Sequence, residues 1–442
     1  MPEHVREGRF LRPVRAGPAL VAPDQVPAHV RHVFHLLQAG CHCKGRAFPC
    51  RLREFYGLER HLTTRGRTLT GRQMRHYSFR QIGALGAKRN CSMLTPTTGV
   101  THHDRSRSTP GHVLLAPSGG NQVYLIDYDG VTGHRWSVGS GLTFWCTLLP
   151  NGNLFVNERF EERRGVALTS SGVMREYDWE GNLVWEHCDP YQHHDARRLP
   201  TGGAVYLAYT DIDPEAQASG QGGVPGSETE AGICGEAIRE VDKAGTVVWE
   251  RHLTEFGSDQ FPLHRNANRW STGHTNTIVP LEDGQYLVSC KVLNLVFLLD
   301  RQSDKIVWHY QDDGMGGQHD AQMLDNGNIL VFANGAYASD LHHSQVWEID
   351  PATNDIVWRY KAKDNPQSFF SPHVGGCQRL ASGNTLICEG AKGCVFEVTP
   401  EGEIVWEYVC PHFNKVDGIG KVNWLFRARH YAKGSPEIRG RV

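Results

Sequence analysis

Gln318-His319-Asp320-Ala321-Gln322-Met323-Leu324, Asn326-Gly327-Asn328, Ile329-Leu330-Val331-Phe332, Val346-Trp347-Glu348-Ile349-Asp350 and Ile356-Val357-Trp358-Arg359-Tyr360 follow one another along a single stretch of the chain. Short runs rich in Val, Ile, Trp, Tyr and Phe, separated by turn residues, predict four antiparallel strands. A unit of about fifty residues is the size at which repeats form propeller blades. One such sheet leaves both faces open, so it needs copies of itself to bury them.

The copies are present. The outermost run, an Asp, a turn and an aliphatic pair closed by Trp, recurs as Asp127 to Trp136, Asp178 to Trp185, Asp242 to Trp249, Asp300 to Trp308 and Asp350 to Trp358, and a version without the Asp ends at Trp406. Successive Trp residues lie 49, 64, 59, 50 and 48 positions apart, which predicts six blades. The inner hairpin recurs as Asn151-Gly152-Asn153, Thr201-Gly202-Gly203, Asp283-Gly284-Gln285, Asn326-Gly327-Asn328 and Ser382-Gly383-Asn384. Gly or Asn supplies the positive φ that such a tight turn needs. The expected fold is therefore all-β, a six-bladed β-propeller over residues 93 to 442.

The first blade starts in mid-pattern. Val113 to Ala116, Val123 to Asp127 and Arg135-Trp136 supply three of its strands, and no inner strand precedes them. Val422 to His430, near the other end of the chain, has the composition of the missing one. A C-terminal strand completing the N-terminal blade closes the ring and removes its open edges.

Residues 1 to 92 lack the repeat. Residues 1 to 90 hold 17 Lys and Arg against 5 Asp and Glu, leaving 29 against 43 for the rest of a chain whose formal net charge is −2. A basic head on an acidic body marks two different segments. The head reads as weakly ordered, with one short helix near 27 to 38, where Val30, Val33, Phe34 and Leu37 have helical spacing after Pro27. Cys41-His42-Cys43 with Cys50 lacks a second Cys pair at finger spacing and reads as a chance cluster rather than a zinc site. The head is also consistent with translation from an upstream start, with Met74 or Met93 as the beginning. No apolar run reaches the roughly 18 residues of a membrane span, and no signal-peptide pattern is seen. A cytoplasmic chain is the expectation, and its twelve Cys residues read as mostly reduced thiols, several buried on strands. Two excursions, residues 211 to 235 and 254 to 273, interrupt the regular spacing, and loops of such length in a compact domain are rim walls, lids or solvated loops.

Aligned by their turns, three inner strands begin on His: His194 in His193-His194-Asp195-Ala196, His274 in Gly273-His274-Thr275-Asn276, and His319 in Gln318-His319-Asp320-Ala321. Inner strands line a propeller's channel, so three imidazoles from distant positions are expected in one polar pocket. The other inner-strand starts carry Phe144 and Trp145 in one blade and Gly375 and Gly376 after His373 in another. Imidazole is a nucleophile or general base near neutral pH. A group of imidazoles is equally a site for Zn, Cu or Fe.

His-Asp-Ala-Gln with Asn-Gly-Asn, Ser371-Pro372 through Gly376-Cys377-Gln378-Arg379-Leu380, Gly383 to Gly390, and Glu397 to Tyr408 together resemble the arylsulfotransferase family, in its short branch without the extra N-terminal domain. The resemblance covers about residues 99 to 431, and Gly99-Val100-Thr101 with Val123 to Asp127 fits it. It implies a six-bladed propeller that moves a sulfuryl group from a phenolic sulfate ester to a phenolic acceptor, through a sulfohistidine and without a nucleotide sulfate donor. Carried over by motif, His319 is the nucleophile, with His194 and His274 beside it, one of them holding the sulfuryl oxygens as a cation. The family's Arg after a pair of small residues is here Lys291, following Val288-Ser289-Cys290. Lys lacks the planar fork of Arg, so Arg427 and Arg429 on the closing strand are expected to help if they face the channel. With Phe144, Trp145 and His373 they complete the candidate substrate-binding set. No cofactor, bound metal or nucleic-acid partner is expected on this reading, and the partners are a small aryl sulfate and a phenol. Two other readings stay open: a metal-dependent oxidoreductase ligated by His194, His274 and His319 with His373 or His103, and a non-catalytic ligand-binding propeller.

Overall fold

A computed structural model describes residues 97–442 except 140, 167–168, 213–216, 218–219, 338–340 and 417. The helix expected near 27 to 38 and the Cys41, His42, Cys43 and Cys50 cluster lie outside the described residues. Six antiparallel sheets account for the strands of the ring. Their inner strands are Leu425–Ala432 in blade 1, Leu142–Leu148 in blade 2, Gln192–Arg198 in blade 3, Thr275–Pro280 in blade 4, His319–Met323 in blade 5 and Gly376–Arg379 in blade 6.

The ring closes as expected. Leu425–Ala432 pairs with Gly111–Pro117, with Leu114 opposite Arg429 and Val113 opposite His430, and so becomes the inner strand of blade 1. A second closure was not read from the repeat. Gly99–His103 pairs with Ile404–Val409 as a fifth, outermost strand of blade 6, so both ends of the described chain are stitched into neighbouring blades.

Each blade buries both faces against its neighbours. Six apolar clusters lie between successive blades; one joins Leu287 and Val296 of blade 4 to Ala321, Val331, Trp347 and Ile349 of blade 5. Another joins Val113, Leu115 and Ile126 of blade 1 to Leu386, Val395, Trp406 and Tyr408 of blade 6, across the closure itself. This two-sided burial explains why the middle strands are nearly continuous runs of Val, Leu, Ile and Phe.

The repeated Trp has a definite task. Its indole N–H donates to the outer turn of the next blade: Trp136 to the Asp178 carbonyl at 3.1 Å, Trp185 to Lys243 at 3.1 Å, Trp358 to Pro400 at 2.8 Å, and Trp406 back to Tyr128 at 2.8 Å. Trp308 reaches the Asn354 side chain at 3.0 Å, and Trp249 is instead covered by Arg301 at 5.4 Å. The eight described cysteines are free thiols, six of them buried. Among the described residues no helix is long and apolar enough to cross a membrane.

Trp406 is fully buried, whereas Trp185 is partly open. Trp406→Ala is expected to cost about 3–5 kcal/mol, the range for removing a buried aromatic, and Trp185→Ala clearly less. Urea unfolding of both variants checks this; equal losses would contradict the closing role given to Trp406.

Candidate active site

The inner strands do not run smoothly into the channel. Pairing with the second strand shifts register between Thr275 and Thr277 in blade 4, between His319 and Gln322 in blade 5, and at Tyr206/Leu207, opposite Ala196 and His193, in blade 3. Each bulge re-aims side chains at the strand start. The backbone is left-handed there, with φ of 49° at His194, 47° at His274 and 56° at Asp320. Non-Gly residues in that region cost of order 1–3 kcal/mol each and persist where the surroundings fix them.

The surroundings do fix them. Gln318 is fully buried and its side-chain NH2 donates to Ser289 Oγ, the Cys290 carbonyl and the Leu295 carbonyl at 3.1, 3.1 and 2.9 Å, pinning the residue before His319 to blade 4. The His274 N–H donates to Ser271 Oγ at 3.0 Å, and Ser271 in turn donates to the buried Glu236 carboxylate at 2.6 Å. Burial raises the Glu236 carboxyl above its usual range. Gly376 starts the inner strand of blade 6 for a steric reason: a Cβ there would sit 2.3 Å from Asp320 Oδ2.

His194, His274, Lys291, His319 and His373 line one cavity of about 300 Å³. Its walls include Trp270, Trp424 and Phe426, and Arg159 and Asn268 also face it. Among the described residues the lining holds no carboxylate. The His194 and His274 rings lie 4.8 Å apart, Phe426 meets His319 edge-on at 6.0 Å, and Trp424 meets His373 edge-on at 4.5 Å.

His319 is oriented by a residue that the sequence reading missed. Asn334, fully buried, has its amide NH2 donating to the Ser371 and Val374 carbonyls at 2.7 and 2.9 Å. Its Oδ1 is thereby left to accept, and it lies 2.8 Å from His319 Nδ1. The ring proton of neutral His319 therefore sits on Nδ1, and Nε2 carries the lone pair.

Burial, with the Lys291 charge adding to it, pushes His319 down to about 3. The same two causes bring His373 to about 4. His194 and His274 are held well below the usual imidazole value by burial, with the neighbouring His274 adding to the effect on His194 and Lys291 on His274. All four imidazoles are therefore neutral near pH 7, against the expectation that His194 or His274 is a cation. Lys291, which begins a single 3-10 turn, is lowered by burial to about 8 and still carries its charge at pH 7. Among the described residues no carboxylate pairs with it.

Arg427, Arg429 and Trp145 do not line the cavity. Arg427 pairs with Asp195 at 3.0 Å and Arg429 with Asp320 at 2.5 Å, so both guanidinium groups are engaged by carboxylates. Trp145 donates to the Ala196 carbonyl at 3.2 Å, and Arg197, Arg427 and Arg429 surround its ring at 4.1, 5.0 and 4.9 Å. The side chain of Phe144 lies outside the described residues. His103 belongs to the outermost strand of blade 6, against Ser108 and Asp129, and does not reach the cavity. Among the described residues, no three His, Cys, Asp or Glu side chains are arranged to hold a metal ion.

The two excursions meet and build one wall. Leu263 N–H donates to the Gln221 carbonyl at 3.0 Å, Val224 N–H to Ala267 at 2.9 Å, and Cys234 N–H to Trp270 at 3.0 Å. This wall delivers Asn268 and Trp270 to the cavity. Trp424 and Phe426 come from the closing strand and the residues before it.

Several solved structures are similar in fold. They include a protein of unknown function from Bacteroides caccae (TM-score 0.45, 18% identity, 72% of this chain and 98% of that one). They also include a streptogramin B lyase (TM-score 0.42, 11% identity, 72% and 84%) and apo AztD from Citrobacter koseri (TM-score 0.37, 11% identity, 73% and 99%). No curated protein matches the chain. Residues 246–411, which carry His274, Lys291, His319, Asn334 and His373, match the family model described as Arylsulfotransferase (ASST).

Proposed function

We propose that this protein transfers a sulfuryl group from a phenolic sulfate ester to a phenolic acceptor, without a nucleotide donor, through a sulfohistidine at His319. The observation that carries this reading is the 2.8 Å contact of His319 Nδ1 with Asn334 Oδ1, which leaves a bare Nε2 in a cationic, aromatic-walled cavity. The family match over residues 246–411 supports the same class of activity.

In the first half-reaction His319 Nε2 forms a bond to sulfur as the bond from sulfur to the phenolic oxygen breaks, and a phenolate departs. Such a transfer has a loose, in-line transition state with charge spread over the peripheral oxygens, so positioning and a fixed cation dominate catalysis. Lys291 supplies the cation. Trp270, Trp424 and Phe426 offer apolar faces to the aryl ring. In the second half-reaction a phenol oxygen attacks sulfur as its proton passes to a neutral pocket histidine, His194 or His274, the sulfur–nitrogen bond breaks, and its electron pair returns to His319 Nε2.

Initial rates with 4-nitrophenyl sulfate and phenol are expected to give the parallel double-reciprocal lines of ping-pong kinetics, and His319→Ala to abolish turnover. Intersecting lines in the wild type, or an active His319→Ala variant, would overturn the proposal. Asn334→Leu removes the acceptor that holds the tautomer and is expected to lower kcat about 10- to 100-fold, as loss of an orienting partner does at other sites, with KM little changed.

Lys291→Met is expected to lower kcat/KM about 10²- to 10³-fold, the cost of losing a charge-stabilising donor. Because the Lys291 ammonium loses its proton near pH 8, KM for the aryl sulfate should rise as pH passes that value. A pH series of KM checks this: the rise should vanish in Lys291→Met, and an unchanged rise there would assign it to another group.

A further inference from the structure

Lys291 is set differently from every other lysine described. The other eight lysines among the described residues are exposed, whereas Lys291 lines the cavity. Its backbone is fixed first: Lys291 N–H donates to the His274 carbonyl and Val292 N–H to the Gly273 carbonyl, both at 3.2 Å, tying the 3-10 turn Lys291–Leu293 to the strand start of blade 4. Its stem is fixed next. A Cβ on Gly317 would lie 3.3 Å from Lys291 Cγ and 3.0 Å from the Tyr337 ring, so the bare glycine admits both side chains, and Tyr337 in turn stacks on His264 at 5.2 Å and 12°. The amine end has no such hold. Among the described residues nothing accepts a hydrogen bond from Nζ, and burial is the one cause acting on its charge.

An Arg at this position would stay cationic at every accessible pH, but a Lys gives up its proton when buried. With the ammonium brought to about 8, roughly one molecule in ten carries the free amine at pH 7, far more than for an exposed Lys at about 10.4. A desolvated lysine amine is a nucleophile toward carbonyl carbon. There is room beside it for an aromatic carbonyl compound. An apolar cavity of about 150 Å³ holds one benzene ring, and this one is about 300 Å³ with Trp270, Trp424 and Phe426 in its walls.

We propose that Lys291 is a carbonyl-capture site: its ε-amine condenses with uncharged aromatic aldehydes that enter the cavity and holds them as a reversible imine. The Nζ lone pair bonds the aldehyde carbon as the carbonyl π pair moves to oxygen, and one amine proton passes to that oxygen, giving a carbinolamine. The hydroxyl then leaves with the second amine proton as water, and the nitrogen lone pair closes the C=N bond. The neutral imidazoles of His274 and His319, which line the same cavity, can relay both protons. An anionic aldehyde would need the very ammonium that the condensation consumes, so the neutral class is favoured. The capture needs the amine and the aromatic walls but not His319, and so stands apart from the sulfuryl-transfer reading. Its effect on turnover does rest on that reading: the imine nitrogen, a weaker base than the amine, gives up the fixed charge, and the captured ring fills the aryl site.

The test is incubation of the full chain at pH 7 with 2-hydroxybenzaldehyde, with the imine followed by its absorption band and located by cyanoborohydride reduction and peptide mapping. A single saturable adduct on Lys291 is expected, formed about 10- to 100-fold faster than on any exposed lysine because more of its amine is free. The band should fall on dilution before reduction, and it should be lost in Lys291→Arg, which keeps the charge and cannot condense. Labelling spread over the exposed lysines without preference for Lys291, or a saturable adduct that persists in Lys291→Arg, would overturn the proposal. If that variant does not fold, the wild-type peptide map alone decides. The aldehyde should also slow 4-nitrophenol release from 4-nitrophenyl sulfate over the same concentration range. Capture with undiminished turnover would instead remove Lys291 from the transfer mechanism and leave the capture standing.

Discussion

Arg427, carried to the axis by the closing strand, is fully buried and bonds the Asp195 carboxylate of blade 3 at 3.0 Å. Its Nε lies 3.1 Å from Asp320 of blade 5, an ion pair without hydrogen-bond alignment, and it donates to the Asn276 carbonyl and Thr277 Oγ1 of blade 4 at 2.7 and 2.8 Å. One guanidinium thus ties together four blades, counting its own. Asp195 follows His194 and Asp320 follows His319, so the same contacts set the strand starts from which the pocket imidazoles project. Taking such charges out of water costs several kcal/mol per ion, and only dense pairing offsets it. Arg429 and Arg197 complete that pairing, against Asp320 and Asp195 respectively. Burial beside like charges still lowers the Arg197 guanidinium to about 10.

The cavity side of the same strands is organised oppositely. Around the axis, carboxylates are paired with Arg; in the cavity, among the described residues, no carboxylate appears and none pairs with Lys291. Ring closure links the two environments, because Phe426 on the cavity wall and Arg427 in the ion-pair network are adjacent on one strand. The excursions from blade 3 enclose the cavity from another direction and bring Trp270 with them. Backbone hydrogen bonds hold the Gly-rich first loop to the second, and Phe256, Phe261, Leu263 and Ala267 of the second are buried in the apolar cluster between blades 3 and 4.

The blade count was legible because the Trp repeat is a physical device: each outer strand must cover the next blade's turn, so the residue recurs at blade spacing. The closing strand was legible because blade 1 lacked an inner strand. The Gly99–His103 strand was not, since a fifth strand adds to an already complete four-strand pattern. The three in-register histidines pointed to one pocket, and the structure gathers them with Lys291 and His373. Asn334 was invisible because an Asn at the end of an apolar run, just before Gly335, reads as turn chemistry. Its role depends on two carbonyls of the following blade. Trp270 and Asn268 sit in a loop without periodicity, and no pattern connects such residues to a site. Arg427 and Arg429 were expected as substrate ligands because the acidic partners that occupy them were counted only as neighbours of the histidines.

The most direct measurement is intact-mass analysis of the protein quenched at neutral pH after brief exposure to 4-nitrophenyl sulfate, followed by peptide mapping. A single added sulfuryl mass on the peptide containing His319, lost on addition of phenol, is the expected result. Folded protein that releases 4-nitrophenol with no adduct, or an adduct on another residue, would contradict the assignment of His319 as the nucleophile.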